Sequence, residues 1–249
     1  MSKVGILVPA TSRGRDWKNI KDTYLYNIFL KSFFTTYSKE HSYTIYLIID
    51  PDDPVFDTEE SKSYMNKFLS LMQNTSLKIL YSTNINKGHV TEMWNKCFHR
   101  AYNDGCDYFY QCGDDVRFLT KNWVNIAIKI LKKHNNVGVT GPLDGGRINC
   151  TKFILTQTFV SRKHMEIINN YFPPEIVNWF CDDWITYLYY PKYLYKMNGY
   201  FIENVGGAPR YDIVGEKGVE WQKMTQKTNE LIKEAMPKLL TLIENNTKD

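Results

Sequence analysis

The chain has 249 residues, 43% of them hydrophobic and 23% charged, enough to bury one sizeable core and too apolar for a disordered polypeptide. Its 31 basic and 27 acidic residues leave a net charge of +4, too small an excess for nucleic acid to be the main partner. No stretch reaches the roughly 18 consecutive apolar residues of a membrane span, and the run before Pro9 is too short for a secretion signal, so a soluble, cytoplasmic protein is expected.

Short apolar runs alternate with longer amphipathic ones. Strands are predicted at Val4–Val8, Tyr43–Ile49, Leu77–Tyr81, Tyr108–Cys112, Val137–Thr140 and Phe153–Val160, with a strand-like run at Tyr200–Ile202. Helices are predicted near Asn19–Tyr37, Glu59–Gln73, Val90–Tyr102 and Asn122–Lys133. This order implies an α/β fold, a central and mainly parallel sheet with helices on both faces. From Val219 the pattern is helical again, with Pro237 expected to kink or restart the helix. The division read from this is one domain over 1–216, with a nucleotide-binding half (1–120) and an acceptor-binding half (121–216). A helical extension occupies 217–249. The five cysteines include no Cys-x-x-Cys pair, which fits reduced thiols better than a zinc knuckle or disulfide framework.

In parallel sheets of this kind ligands bind beyond the carboxyl ends of the strands, so the residues after each strand carry the functional information. The first strand is followed by Pro9-Ala-Thr11-Ser-Arg13-Gly-Arg15, either a surface turn or a loop whose arginines neutralise phosphate. Asp50 ends the second strand, suited to a uracil imide or ribose hydroxyls; Asp52 and Asp53 read more as turn and capping carboxylates. After the third strand, Lys87 and Gly88 open a helix, a capped helix start or an anion site. The fourth strand delivers Gly113-Asp114-Asp115. Two adjacent acids at a strand end repel each other unless a cation offsets them, and Mg²⁺ or Mn²⁺ takes such carboxylates together with diphosphate oxygens and water. In the second half Asp182-Asp183 sits among tryptophans, either a helix-starting pair favoured by the dipole or a general base raised into the working range by burial. Gly206-Gly207-Ala-Pro-Arg210 is an ordinary turn or an arginine-bearing lid. The five histidines show no ligand spacing.

In their order, these residues resemble the GT-A fold nucleotide-sugar glycosyltransferases, particularly the family-2-like inverting group. The resemblance runs over roughly residues 3–212 and rests on Val4-Gly-Ile-Leu-Val-Pro9, Asp50, Lys87-Gly88, Gly113-Asp114-Asp115 and Cys181-Asp182-Asp183-Trp184. It implies a single Rossmann-like GT-A domain and a metal site at Asp115 with Asp114, holding Mn²⁺ or Mg²⁺. Asp50 would contact the uracil or ribose, and Asp183 (or Asp182) would be the catalytic base. Pro9, Thr11, Arg13, Lys87 and Arg210 would complete the nucleotide site. The partners implied are a UDP-sugar donor and a glycan or other hydroxyl acceptor. The family's DxD reads Gly-Asp-Asp here, and no histidine stands near Arg210-Tyr211-Asp212.

Two other readings fit parts of the pattern. Gly-Asp-Asp also occurs in RNA-dependent polymerases, which need a second metal-binding motif and a much longer chain. A non-catalytic nucleotide- or glycan-binding module would keep the fold and the metal site without turnover. No motif specifies the sugar, the linkage or the oligomeric state.

Overall fold

The structure, a computed structural model, describes residues 1–147, 149–206 and 219–246. Strand β1 (Lys3–Ala10) is buried at every position after Lys3, as expected for a strand covered on both faces. It pairs in parallel with β2 (Ser42–Ile49) on one side and β4 (Tyr108–Gln111) on the other. Strand β3 (Thr75–Tyr81) continues the parallel set beyond β2. The second half is mixed: β7 (Thr158–Ser161) runs antiparallel to β4 and to β6 (Val139–Asp144). Strand β8 (Leu194–Asn204) lies parallel to β6 and antiparallel to the short edge strand β5 (Val116–Phe118). All eight form one sheet in the order β3-β2-β1-β4-β7-β6-β8-β5.

Successive β1 residues feed opposite cores, because side chains alternate across a strand. Ile6 and Val8 join Phe29, Phe33, Tyr110 and Trp123 on one face. Leu7 joins Ile48, Phe98, Phe109 and Trp184 on the other. The helices place their apolar stripes against these faces. In α3 (Val90–Asn103), Trp94, Cys97, Phe98 and Ala101 are buried at helical spacing. In α4 (Trp123–Lys133), Val124, Ala127, Ile128 and Leu131 do the same. Helix α2 (Glu59–Leu69) starts from Thr58, whose side chain accepts from the Ser61 amide, and carries Glu59 and Glu60 in its first turn, where the dipole favours them.

Four expectations change. The predicted helix Asn19–Tyr37 is broken into a 3₁₀ turn (Ile20–Asp22), a π-helical segment (Leu25–Leu30) and α1 (Lys31–Thr36); Thr23, extended and hydrogen-bonded to the Ile20 carbonyl, ends the first turn. The predicted strand Phe153–Val160 forms a ladder only from Thr158, although Ile154 and Leu155 before it are buried in the core. Strand β8 is far longer than Tyr200–Ile202, and β5 was not foreseen. The C-terminal helix, α7 (Val219–Asn246), runs through Pro237 without restarting. It packs on α5 (Met165–Ile168) and α6 (Cys181–Tyr189), burying Leu231, Ala235, Leu239 and Leu242 in the second core. No described helix is long and apolar enough to cross a membrane.

Candidate active site

Strand β1 has β2 on one side and β4 on the other, and such a reversal of strand order leaves a crevice at the carboxyl ends. A cleft of about 750 Å³ occupies that position. Pro9, Thr11, Arg13, Asp50, Lys87, Asp114 and Asp115 all line it, so seven of the predicted residues converge on one site.

At the β1–β2 end a polar lattice holds the loops. Asp50 accepts from Thr11 Oγ1 at 2.8 Å and from Ser82 Oγ at 2.9 Å, and Arg13 Nε lies 3.7 Å from its carboxylate. Arg13 also donates to the carbonyls of Pro51 and Asp52, so it braces the loop after β2 as well as lining the cleft. Asp53, read from sequence as a turn residue, is almost fully buried. Its carboxylate accepts from Thr11 and Ser12 hydroxyls and from the amides of Ser12, Val55 and Phe56. Burial alone would raise its pKa, but these donors hold it below the ordinary value. Arg15 lines the cleft with its guanidinium 5.1 Å from the Tyr24 ring and 5.7 Å from that of Trp17, while Lys87 stands exposed after the third strand.

Asp114 is buried and Asp115 half-buried just after β4, where the Trp94 indole donates to the Cys112 carbonyl. The backbone crowds Asp115 from two sides. A Cβ at Gly113 would sit 2.5 Å from its Oδ1, and one at Gly206 would overlap the carboxylate. The absence of a side chain at Gly206 permits this close approach, whereas at Gly113 only the tip of the Asp115 side chain would have to move. The Val205 amide donates to the Asp115 carbonyl at 3.1 Å, laying the chain after β8 across the acid. Among the described residues no three His, Cys, Asp or Glu side chains gather as a metal cage. The donor set suits instead a hard divalent ion that shares one or two carboxylates with diphosphate and water.

The second acidic pair lies elsewhere. Asp182 and Asp183 occupy the first turn of α6, after Phe180 in the left-handed conformation (φ 71°), and neither lines the cleft. Burial, and then the neighbouring Asp183, push the Asp182 carboxyl up to about 6. Asp183 is ion-paired with Lys152. Beside the pair, the Trp221 ring of α7 lies tilted at 4.5 Å from that of Phe180 and edge-on at 6.3 Å from that of Trp179. Arg210 lies outside the described residues.

Sequence reasoning missed the far wall of the cleft, made by Thr156, Gln157 and Asn204. Neutral amides carry no charge signature, and these three come from the ends of β7 and β8, whose bounds the apolar pattern misplaced.

Neither a protein-family model nor any curated protein sequence matches the chain. Solved structures do. S. aureus TarS 1-349 in complex with UDP-GlcNAc matches with a TM-score of 0.57 at 13% identity, over 93% of this chain and 65% of that one. The same protein in complex with UDP matches with a TM-score of 0.53 at 13% identity, over 80% and 60%. This chain has the GT-A fold. It therefore spans about three fifths of the TarS 1-349 chain.

Proposed function

We propose that the protein transfers a sugar from a UDP-sugar to an acceptor hydroxyl, inverting the anomeric carbon. One observation carries this reading: Asp50, Lys87 and Asp115, chosen from separate strand ends, line a single cleft at the sheet's topological switch point. The fold supports it, since structures of similar shape are described in complex with UDP and UDP-GlcNAc.

Under this reading Asp50 and Thr11 take the uracil or ribose, and Lys87, Arg13 and Arg210 balance the diphosphate. Asp115, backed by Asp114, would hold Mn²⁺ or Mg²⁺, which supplies Lewis-acid charge neutralisation without proton transfer. The acceptor oxygen forms its bond to the anomeric carbon as the bond to the diphosphate oxygen breaks. UDP leaves with that electron pair, and the acceptor proton passes to Asp183 or Asp182. Burial pushes the Asp182 carboxyl up to about 6, a match to a general base near neutral pH. The acceptor would be a glycan or another hydroxyl compound. All five cysteines are unpaired, which supports a reducing, cytoplasmic setting.

The test is UDP release from a panel of UDP-sugars with Mn²⁺, with Mg²⁺ and with EDTA. Metal-dependent release from one donor, absent in Asp115→Ala, is the expected result. A second reading has its own support, because Asp182 and Asp183 stand outside the lining of the cleft and Asp183 is tied to Lys152. A non-catalytic binding module would bind UDP with metal and release none from any donor. Absence of UDP binding would reject both.

A further inference from the structure

The far wall of the cleft is a built polar surface with a fixed sense. Asp144, at the end of β6, accepts at Oδ1 from the Gly146 amide (3.0 Å) and at Oδ2 from Asn204 Nδ2 (3.1 Å). A carboxylate only accepts, so it turns the Asn204 amide nitrogen toward itself and leaves Oδ1 pointing the other way. Asn204 Oδ1 then accepts from Gln157 Nε2 at 2.8 Å, which leaves Gln157 Oε1 to accept from the Thr156 hydroxyl at 2.6 Å. One acid behind the wall thus sets the orientation of two amides and a hydroxyl in front of it. Gln157 is almost fully buried except where it meets the cleft. Each amide still has one N–H and one lone pair to offer, a mixed donor and acceptor surface.

Its place along the sheet edge gives this surface a role. The strand order sets out Asp50 (β2), Thr11 (β1), Asp115 (β4) and Gln157 (β7) in a row, and Asn204 (β8), paired with Val116 of β5, returns beside Asp115 and closes that end of it. With strands roughly 4.8 Å apart, Asp50 and Asp115 are separated by about 10 Å, and the wall starts one strand further on. In a nucleoside diphosphate sugar the order is nucleoside, diphosphate, sugar. If the nucleoside sits at Asp50 and the diphosphate at Asp115, the sugar falls against Gln157 and Asn204. The cations that line the cleft among the described residues, Arg13, Arg15 and Lys87, all come from the loops after β1 and β3. The wall itself is backed by a carboxylate.

We infer that Gln157 and Asn204, oriented by Asp144, form the donor-sugar subsite, and that they select an uncharged sugar bearing hydroxyl or acetamido groups over a uronic acid. This rests on the UDP-sugar reading above. Gln157 and Asn204 read the sugar's polar groups directly, while Asp144 is a positioning residue that acts through them. A buried amide site rejects a ligand that leaves its donors and acceptors unpaired, and a sugar carboxylate would meet the field of Asp144 at a wall where, among the described residues, no cation lines the cleft.

The experiment measures Kd at constant metal for UDP, UDP-glucose, UDP-GlcNAc and UDP-glucuronate. The proteins are the wild type, Gln157→Met, Asn204→Ser and Asp144→Asn. The Kd for UDP, which lacks the sugar, reports on folding and on the nucleotide end. Wild type is expected to bind the better neutral donor at least tenfold more tightly than UDP-glucuronate. Gln157→Met and Asn204→Ser should raise the ratio of that donor's Kd to that of UDP at least tenfold, with UDP affinity within twofold of wild type. Asp144→Asn, which allows the amides to turn over, should narrow the neutral-over-uronate preference while leaving UDP affinity unchanged. An unchanged ratio in Gln157→Met and Asn204→Ser, or tighter binding of UDP-glucuronate to wild type, overturns the subsite. Loss of UDP affinity in step with sugar affinity also overturns it, by making the wall structural. Failure of wild type to bind UDP removes the parent reading itself, an outcome visible before any sugar is compared.

Discussion

Asp114–Asp115 and Asp182–Asp183 are both adjacent aspartates at the boundary of an element, and the fold places them in different surroundings. The first pair ends a buried strand at the crevice, and two glycine backbones press against Asp115. The second pair begins a helix outside the crevice. There one member's proton is held up to about pH 6 and the other is tied to a lysine. Sequence presents the pairs as equivalent. Their surroundings suit one pair to a cation and the other to a proton, and each difference gives a way to test or break that contrast.

The largest effect is expected in the second pair. If it supplies the base, Asp182→Asn or Asp183→Asn should lower kcat for transfer by about 10²–10⁴-fold with UDP affinity unchanged. The rate of wild type should rise with pH through about 6 as Asp182 deprotonates, and the variant that removes the base should lose that limb. Full transfer in both variants would end the assignment. Next comes the first pair: Asp115→Ala should weaken UDP binding in Mn²⁺ by about 100-fold, down to the level seen with EDTA, as read by calorimetry. Equal weakening with and without metal would make Asp115 a structural residue instead.

A smaller effect concerns stability. Because the folded-state pKa of Asp182 is raised, its ionisation opposes folding above about pH 6, and that cost fades as pH falls toward 4. Asp182→Asn should therefore stabilise the fold at pH 8 by about 3 kcal/mol, with little gain at pH 4, in denaturant titrations at the two pH values. A gain that did not depend on pH would show that Asp182 is not held against its charge. The smallest effect is on Lys152, whose side chain is 55% exposed in its ion pair with Asp183. Lys152→Ala should change stability by less than about 1 kcal/mol. Any larger change in kcat would then mean that the lysine governs the charge of the pair.

The parallel half was legible from sequence because each of its strands is a short apolar run ending in a polar loop, and Asp50, Lys87 and Asp115 stand directly after such runs. The second half was harder to read for physical reasons. Phe153, Ile154 and Leu155 look like a strand, but the core takes two of them without a ladder, so burial and pairing come apart. Strand β8 alternates buried and exposed residues irregularly, and a register shift opposite Pro142 and Leu143 interrupts its pairing with β6. Asp53 looked like one carboxylate of a proline-rich turn; only the structure shows five donors gathered on it. Gln157 and Asn204 depend on which strand ends meet in space, information that no local pattern holds.

Val205 and Gly206 lay the chain over Asp115. Those residues follow β8, the last of the described strands to leave a ribosome, yet they cover an acid that follows the fourth. A nascent chain that has made β1 to β4 already owns the loops that carry Asp50, Lys87 and Asp115, but its crevice lacks a far side until β8 docks between β6 and β5. Domains generally assemble from the N-terminus during synthesis, so the site is finished by one of the most distant contacts in the sequence. The two-walled cleft thereby becomes a property of a chain that includes β8, and a fragment truncated before Leu194 would keep the loops of the nucleotide end beside an open-sided groove.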